Sequence, residues 1–249
     1  MYPLLISAGL GLVVALSLIF IPDEPGYFWG PLLGTVAFVP TFVILSRAIG
    51  NRVHPYLERA QRAAQSGNVP QAVLAFEEAR AYQNWQLFLG KQIETQIGIL
   101  HYGAGDEKKA AEHLAKGYPK LSEGPLILGV IHYRAKRIDD AIETLETGTR
   151  YNKKSPILYN VLAWIQEQEG RHDAAIATLE RGLKALKTDE DTADNLERLR
   201  QNKRMNLRGF GNLWYMLKFE HPPGTAHAAP MRKGFRQPPK QRGGKKNKR

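Results

Sequence analysis

Seven histidines, His54, His101, His113, His132, His172, His221 and His227, are the side chains of this 249-residue chain whose pKa best suits acid–base or metal chemistry. They are scattered, with no metal-ligand spacing among them. His101 and His132 are each followed by tyrosine and fall at matching places of a repeat described below, a recurrence that speaks for packing and against a ligand pair. The acid pairs Glu77-Glu78 and Asp139-Asp140 are adjacent, so on a helix their carboxylates point in different directions, as on a solvated face. Cysteine is absent, which removes disulfides, thiolate metal sites and a cysteine nucleophile together. Neither GxxxxGK[ST] nor GxGxxG occurs, and Gly170-Arg171-His172 reads as a turn between helices. The expectation is a chain without catalytic residues, metal or cofactor, so function has to come from surfaces and from the elements that present them.

The charge is unevenly distributed. There are 35 basic and 24 acidic residues for a net +11, and residues 221–249 hold nine of the basic residues and none of the acidic. These nine are Arg232, Lys233, Arg236, Lys240, Arg242, Lys245, Lys246, Lys248 and Arg249. With five Pro, four Gly and no apolar periodicity, the segment cannot bury enough surface to fold alone and is expected to be a disordered basic tail. Three readings stand for it: a solvated tail, a ligand for anionic lipid headgroups, or a ligand for ribosomal or other RNA. Phe235 is its one aromatic, so no platform for stacking bases is evident.

The opposite end is apolar. Residues 3–21 and 28–46 are two 19-residue stretches without a charged side chain. At about 1.5 Å per residue each reaches roughly 28 Å, close to the hydrocarbon thickness of a bilayer. Only residues 22–27 separate them, so the expected arrangement is a transmembrane helical hairpin, with Pro40 a candidate kink. A cleaved signal peptide fits poorly, because no Lys or Arg precedes the first stretch and no small-x-small site follows it. The connecting loop carries Asp23 and Glu24, whereas Arg47, Arg52, His54, Arg59 and Arg62 follow the second stretch. Retention of basic residues on the inner side places both termini and everything after Arg47 in the cytoplasm, in a multi-pass protein of the inner membrane. Gly30 and Gly34, four apart, permit close helix approach, read as packing within the hairpin.

Residues 50–187 are repetitive. Four segments, VPQAVLAFEEA, EKKAAEHLAKG, IDDAIETLETG and HDAAIATLERG, share one spacing of small and large apolar residues. A small residue (Ala72, Ala110, Ala141, Ala175) is followed four places later by a large one (Phe76, Leu114, Leu145, Leu179). Three places further stands a second small one (Ala79, Gly117, Gly148, Gly182). These steps put all three on one helical face. Gly67, Gly105 and Gly170 stand five places before the first small residue, with Lys136 in the third unit, and mark the turn inside each helical hairpin. Ala60, Gly98, Gly129 and Ala163 lie where paired helices should cross, and Ala141 and Ala175 where adjacent hairpins should approach most closely.

This small-large-small ladder resembles the tetratricopeptide repeat (TPR) family. The layout is similar to membrane-anchored TPR proteins of bacteria, departing from those with a rubredoxin module by lacking every cysteine. The resemblance implies an interaction module that binds a protein or peptide along a concave face, lined here by Leu57, Gln61, Gln92, Thr95, Tyr102, Leu126, Val130, Tyr133, Arg134, Asn160, Trp164 and Gln168. Tyr102, Tyr133 and Trp164 read either as an aromatic recognition stripe or as core. The family's clamp for a C-terminal carboxylate needs Lys and Asn, then Asn, then Lys and Arg. Leu57 and Gln61, then Gln96, then Glu123 and Ile127 stand at those places, which does not support such a clamp.

Beyond the repeats, residues 189–204 begin acidic and end basic, with Leu196 and Leu199 on one face, and should cap the solenoid. Leu207, Phe210, Leu213, Trp214 and Leu217 recur at helical steps and suggest a short amphipathic helix, docked on the last repeat or lying in a membrane interface. The expected fold is all-α: a transmembrane hairpin (1–48), about four TPR-like hairpins (50–187), capping and amphipathic helices (188–220) and the tail (221–249). The expected function is a membrane-anchored scaffold, with a membrane tether for ribosomes, RNA or anionic lipid as the alternative.

Overall fold

The computed structural model describes residues 1–19 and 26–220, so the loop acids Asp23 and Glu24 and the whole basic tail lie outside the described residues. Every regular element among the described residues is helical. The first two are α1 (Tyr2–Ile19) and α2 (Gly26–Gln65), which run antiparallel and touch through glycine. A Cβ on Gly11 would stand 2.8 Å from the Gly34 carbonyl oxygen, and one on Gly34 only 2.6 Å from that of Gly11. Gly34 is thus spent on packing inside the hairpin. Leu12, Val13, Val36 and Ile44, by contrast, are each more than half exposed. The hydroxyls of Ser7, Thr35 and Thr41 donate to the carbonyls of Pro3, Pro31 and Ala37 at 2.7, 2.8 and 2.8 Å, each one turn back on its own helix. Among the described residues α2 is long and apolar enough to cross a membrane, while α1 is apolar but shorter.

The boundary expected near residues 48–50 is not a break. Helix α2 runs through it for 40 residues, with Pro31, Pro40 and Pro55 inside. Each proline removes one ladder hydrogen bond. The helix continues because Ile49 and Val53 are buried in a cluster with Ala60, Phe76, Ala79, Leu89, Ile93 and Ile97. The second half of α2 is therefore the first helix of the first repeat, paired with α3 (Val69–Ala79).

Three further hairpins follow: α4 (Leu89–Gly103) with α5 (Glu107–Leu114), α6 (Glu123–Arg134) with α7 (Ile138–Tyr151), and α8 (Pro156–Gln168) with α9 (His172–Leu186). Their packing is the small-large ladder. A Cβ on Gly98 would lie 2.6 Å from Leu114 Cγ, and one on Gly129 would lie 2.6 Å from Leu145 Cγ. Ala163 and Leu179 share one cluster in the same way. The same Gly98 Cβ would be 3.2 Å from the Ala110 carbonyl, so the tight approach at that ladder position lies inside one hairpin and not between adjacent ones. Neighbouring hairpins meet instead at the second small residue: Gly148 faces both Pro125 of its own hairpin and Leu158 of the next. Gly117 falls beyond the end of α5, in an irregular stretch before α6, and abuts Thr95 Oγ1.

Gly67, Gly105 and Gly170 turn each hairpin with φ of +75°, +89° and +73°, and Lys136 adopts the same left-handed backbone at φ 62°. Helix α10 (Glu190–Arg200) closes the array, with Asp189 accepting from Thr192 N at 2.9 Å and Leu196 and Leu199 buried with Ala175 and Leu179.

The described residues divide into two compact units, 1–210 and 211–220. The single amphipathic helix expected over 207–217 is not formed. A 3₁₀ turn spans Arg208–Phe210, Gly211 takes φ +54°, and only Asn212–Met216 (α11) is helical, because the glycine backbone leaves the helical region. Within the second unit, the rings of Trp214 and Phe219 lie 5.2 Å apart.

Two substitutions in the third hairpin should have opposite signs. Lys136→Gly relieves a left-handed lysine and should stabilise by about 1 kcal/mol. Gly129→Ala drives a methyl into Leu145 and should destabilise by roughly 1–3 kcal/mol. Thermal unfolding of the two variants beside the parent checks both.

Candidate functional site

The first helices of the first two hairpins, α2 and α4, do not close on each other. Between them lies a groove of about 500 Å³ lined by Leu57, Gln61, Ala64, Phe76, Leu89, Gln92, Ile93, Gln96, Ile99, Leu100 and Leu121. Its floor is core: Phe76, Leu89 and Ile93 are buried, whereas Gln61 and Gln96 are exposed and Leu57, Gln92, Ile99 and Leu100 half-buried. The lining carries no charge. Three amides on an apolar floor can hydrogen-bond a peptide backbone and accept apolar side chains, but they give a terminal carboxylate no cation.

Of the residues expected on the concave face, Leu57, Gln61 and Gln92 meet in this groove. Several others do not belong to any open face. Tyr102, Leu126 and Val130 are buried to within 1% of full, because they fall on the side of α4 and α6 that carries the ladder. Burial raises the Tyr102 pKa. Thr95 is also buried, accepting from Tyr118 N at 2.8 Å and donating to the Lys91 carbonyl at 3.0 Å. It lines a different cavity, of about 390 Å³, with Leu114, Tyr118 and Gly124. Asn160 is fully enclosed. Its amide nitrogen donates to Thr192 Oγ1 at 2.7 Å and its oxygen accepts from Asn195 at 2.9 Å, so it fastens the capping helix. A polar residue at helical spacing looks alike from sequence whether it faces a ligand or a neighbouring helix, and Thr192 and Asn195 carry no ladder signal that would tell the two apart.

Tyr133 and Trp164 are half-buried and pack edge to face, with centroids 5.7 Å apart across α6 and α8. Arg134 pairs with Glu107 at 2.6 Å, and Gln168 is exposed at the end of α8. These residues stand apart from the groove. The nine basic tail residues lie outside the described residues.

The groove's geometry depends on how the second hairpin is held to the first. Glu94 of α4, which is 8% exposed, accepts from Arg80 Nη1 at 2.6 Å and meets His113 Nδ1 at 2.8 Å. Arg80 also grips Glu77 of α3 through two hydrogen bonds. Burial pushes the Glu94 pKa up, but the hydrogen bonds from His113 and Arg80 outweigh it and the net shift is downward. His113 stacks on His101 at 5.5 Å, and burial together with that neighbour lowers the His101 pKa. No set of three His, Asp or Glu that could hold a metal occurs among the described residues.

A family model described as tetratricopeptide repeat matches residues 127–190, which span most of α6 through the start of α10. No curated protein matches the chain in sequence. Among solved structures the chain is similar to two crystal structures of MamA. One is 20% identical with a TM-score of 0.48, covering 68% of this chain and 88% of that one. The other is 18% identical with a TM-score of 0.46, covering 64% and 90%.

The Glu94 linkage gives a pH signature. A carboxyl with a lowered folded pKa contributes stability above its ordinary pKa of about 4.5 and loses it as pH falls through the folded value. Glu94→Gln should therefore lower stability by about 2 kcal/mol at pH 7, and the difference from the parent should shrink toward pH 3. Chemical denaturation at several pH values reads this directly.

Proposed function

Because residues 127–190 belong to the tetratricopeptide repeat family, whose repeats serve as protein-interaction scaffolds, we propose that this chain is a membrane-anchored scaffold. Its α2–α4 groove receives a segment of a protein partner. The observation that carries the reading is the uncharged groove itself, whose three glutamines stand over a floor of Phe76, Leu89 and Ile93. The ligand it favours is an internal peptide segment with apolar side chains, its backbone held by Gln61, Gln92 and Gln96. Apolar anchors in such a groove carry most of the binding energy.

In this proposal the antiparallel pair α1 and the first part of α2 crosses the inner membrane. Outward apolar residues such as Leu12 and Val36, and hydroxyls satisfied on their own helices, support that placement. The basic residues from Arg47 to Arg62 keep the repeats and both termini in the cytoplasm.

Capture of the detergent-solubilised chain from cells should return one stoichiometric protein partner. Gln96→Arg with Ile99→Asp should weaken it by at least about 30-fold, the loss of a hot spot. Retention of the partner by that pair of substitutions, with loss on Tyr133→Ala and Trp164→Ala, would move the site to α6 and α8. Retention by both variants would contradict binding through the inner helices altogether.

A further inference from the structure

We propose that the segment Tyr82–Phe88, between α3 and α4, is a lipid-contacting strap that seats the first two hairpins on the headgroup layer of an anionic bilayer. The inference rests on the proposal that α1 and α2 cross that bilayer. Its starting point is a contact between parts of the chain more than eighty residues apart. The Met1 ammonium and the Tyr2 N–H both donate to the Asn84 carbonyl, the latter at 2.9 Å. The Tyr2 ring meets Trp85 edge-on, with centroids 5.1 Å apart. The strap is thus fixed to the very end of the apolar helix α1, where a membrane-crossing helix leaves the hydrocarbon.

The composition of the strap suits that depth. Tyr2, Tyr56, Tyr82 and Trp85 form an aromatic group, with Tyr56 and Tyr82 at 5.9 Å, the residue types enriched where headgroups meet acyl chains. Tyr82 and Trp85 pack on the cluster of Ile49 and Val53, which ties the strap to α2 one to two turns beyond the last apolar residues. Leu87 and Phe88 turn outward instead, 48% and 43% exposed. Phe88 adopts a left-handed backbone at φ 62°, an unusual conformation for a bulky residue, and its ring stacks on Tyr118 at 4.9 Å. Exposed apolar tips beside an aromatic group are the features of a surface that enters a bilayer interface.

Charge selects the lipid. A shallow depression beside the strap is lined by Met1, Leu87, Phe88, Lys91 and Lys116, with Arg80 and Glu94 joined to each other at its base. Arg47 is exposed on α2 near the same level. The ammonium groups of Lys91 and Lys116 would meet phosphate headgroups as the apolar tips enter below them.

The chain lacks cysteine, so single cysteines can carry an environment-sensitive fluorophore without a background. Val13→Cys, Leu87→Cys and Tyr151→Cys are labelled in the full chain. Each is reconstituted in vesicles of phosphatidylcholine with and without phosphatidylglycerol. The label at 87 should be quenched by lipid spin labels near the headgroup and shielded from aqueous iodide, while the label at 151 is quenched by iodide. The shielding at 87 should deepen with phosphatidylglycerol. If 87 is as open to iodide as 151 while 13 is buried in lipid, the hairpin stands and the strap is wrong. If 13 itself is open to iodide, the bilayer reading fails and the strap with it. Shielding at 87 that follows protein concentration and ignores lipid quenchers would assign the surface to a second copy, and would equally overturn the proposal.

Discussion

Ile49 and Val53 are buried in the first repeat's core, and Val43 and Ile44, roughly one to three turns earlier on the same helix, are exposed. One unbroken helix therefore serves two surroundings, an outward apolar surface along its first half and a protein core along its second. That constraint organises the rest of the N-terminal half. The hairpin with α1 forms around Gly11 and Gly34, α3 folds back on the second half, and α4 takes its position from Ile93 and Ile97 in the same cluster. The groove between α2 and α4 inherits its direction from α2, so the proposed anchor and binding surface share a structural member without a flexible linker between them.

Within the repeats the controlling contact is a large side chain laid over a missing one. Leu114 and Leu145 occupy the space that a Cβ on Gly98 or Gly129 would take. Such contacts tolerate little added volume, since cores are packed to the density of organic crystals. They leave the outer surfaces of the hairpins free to vary, whereas the groove draws its floor from the core, through Phe76, Leu89 and Ile93. The Arg80–Glu94–His113 linkage adds a directional element where the ladder is weakest, beside the short α5 and the irregular stretch after it.

The ladder was readable because three apolar positions at fixed steps determine a helical face, and the four hairpins follow from it, while the cap follows from the acidic start and basic end of residues 189–204. The turn at Lys136 was readable by alignment with three glycines, although only the structure shows that lysine takes the glycine backbone there. The groove was readable in part. Leu57, Gln61 and Gln92 line it, but Tyr102, Val130 and Asn160 lie inward, because a residue at helical spacing reads alike from sequence whether it faces solvent or a neighbouring helix. The continuity of α2 was not readable, since the change in composition at residue 47 looks like a domain boundary whether or not the helix breaks. The Tyr2–Trp85 contact was equally hidden, because no local pattern links residues that far apart.

The central claim is that the proposed anchor and the first repeat are one rigid helix. Spin labels at positions 36 and 61 of α2, in the full chain reconstituted in a bilayer, measure it directly. Twenty-five residues at about 1.5 Å each give a separation of roughly 38 Å, and a continuous helix predicts a narrow distance distribution about that value. A broad distribution, or a mean well below it, would show a hinge between the apolar hairpin and the repeats and would contradict the account.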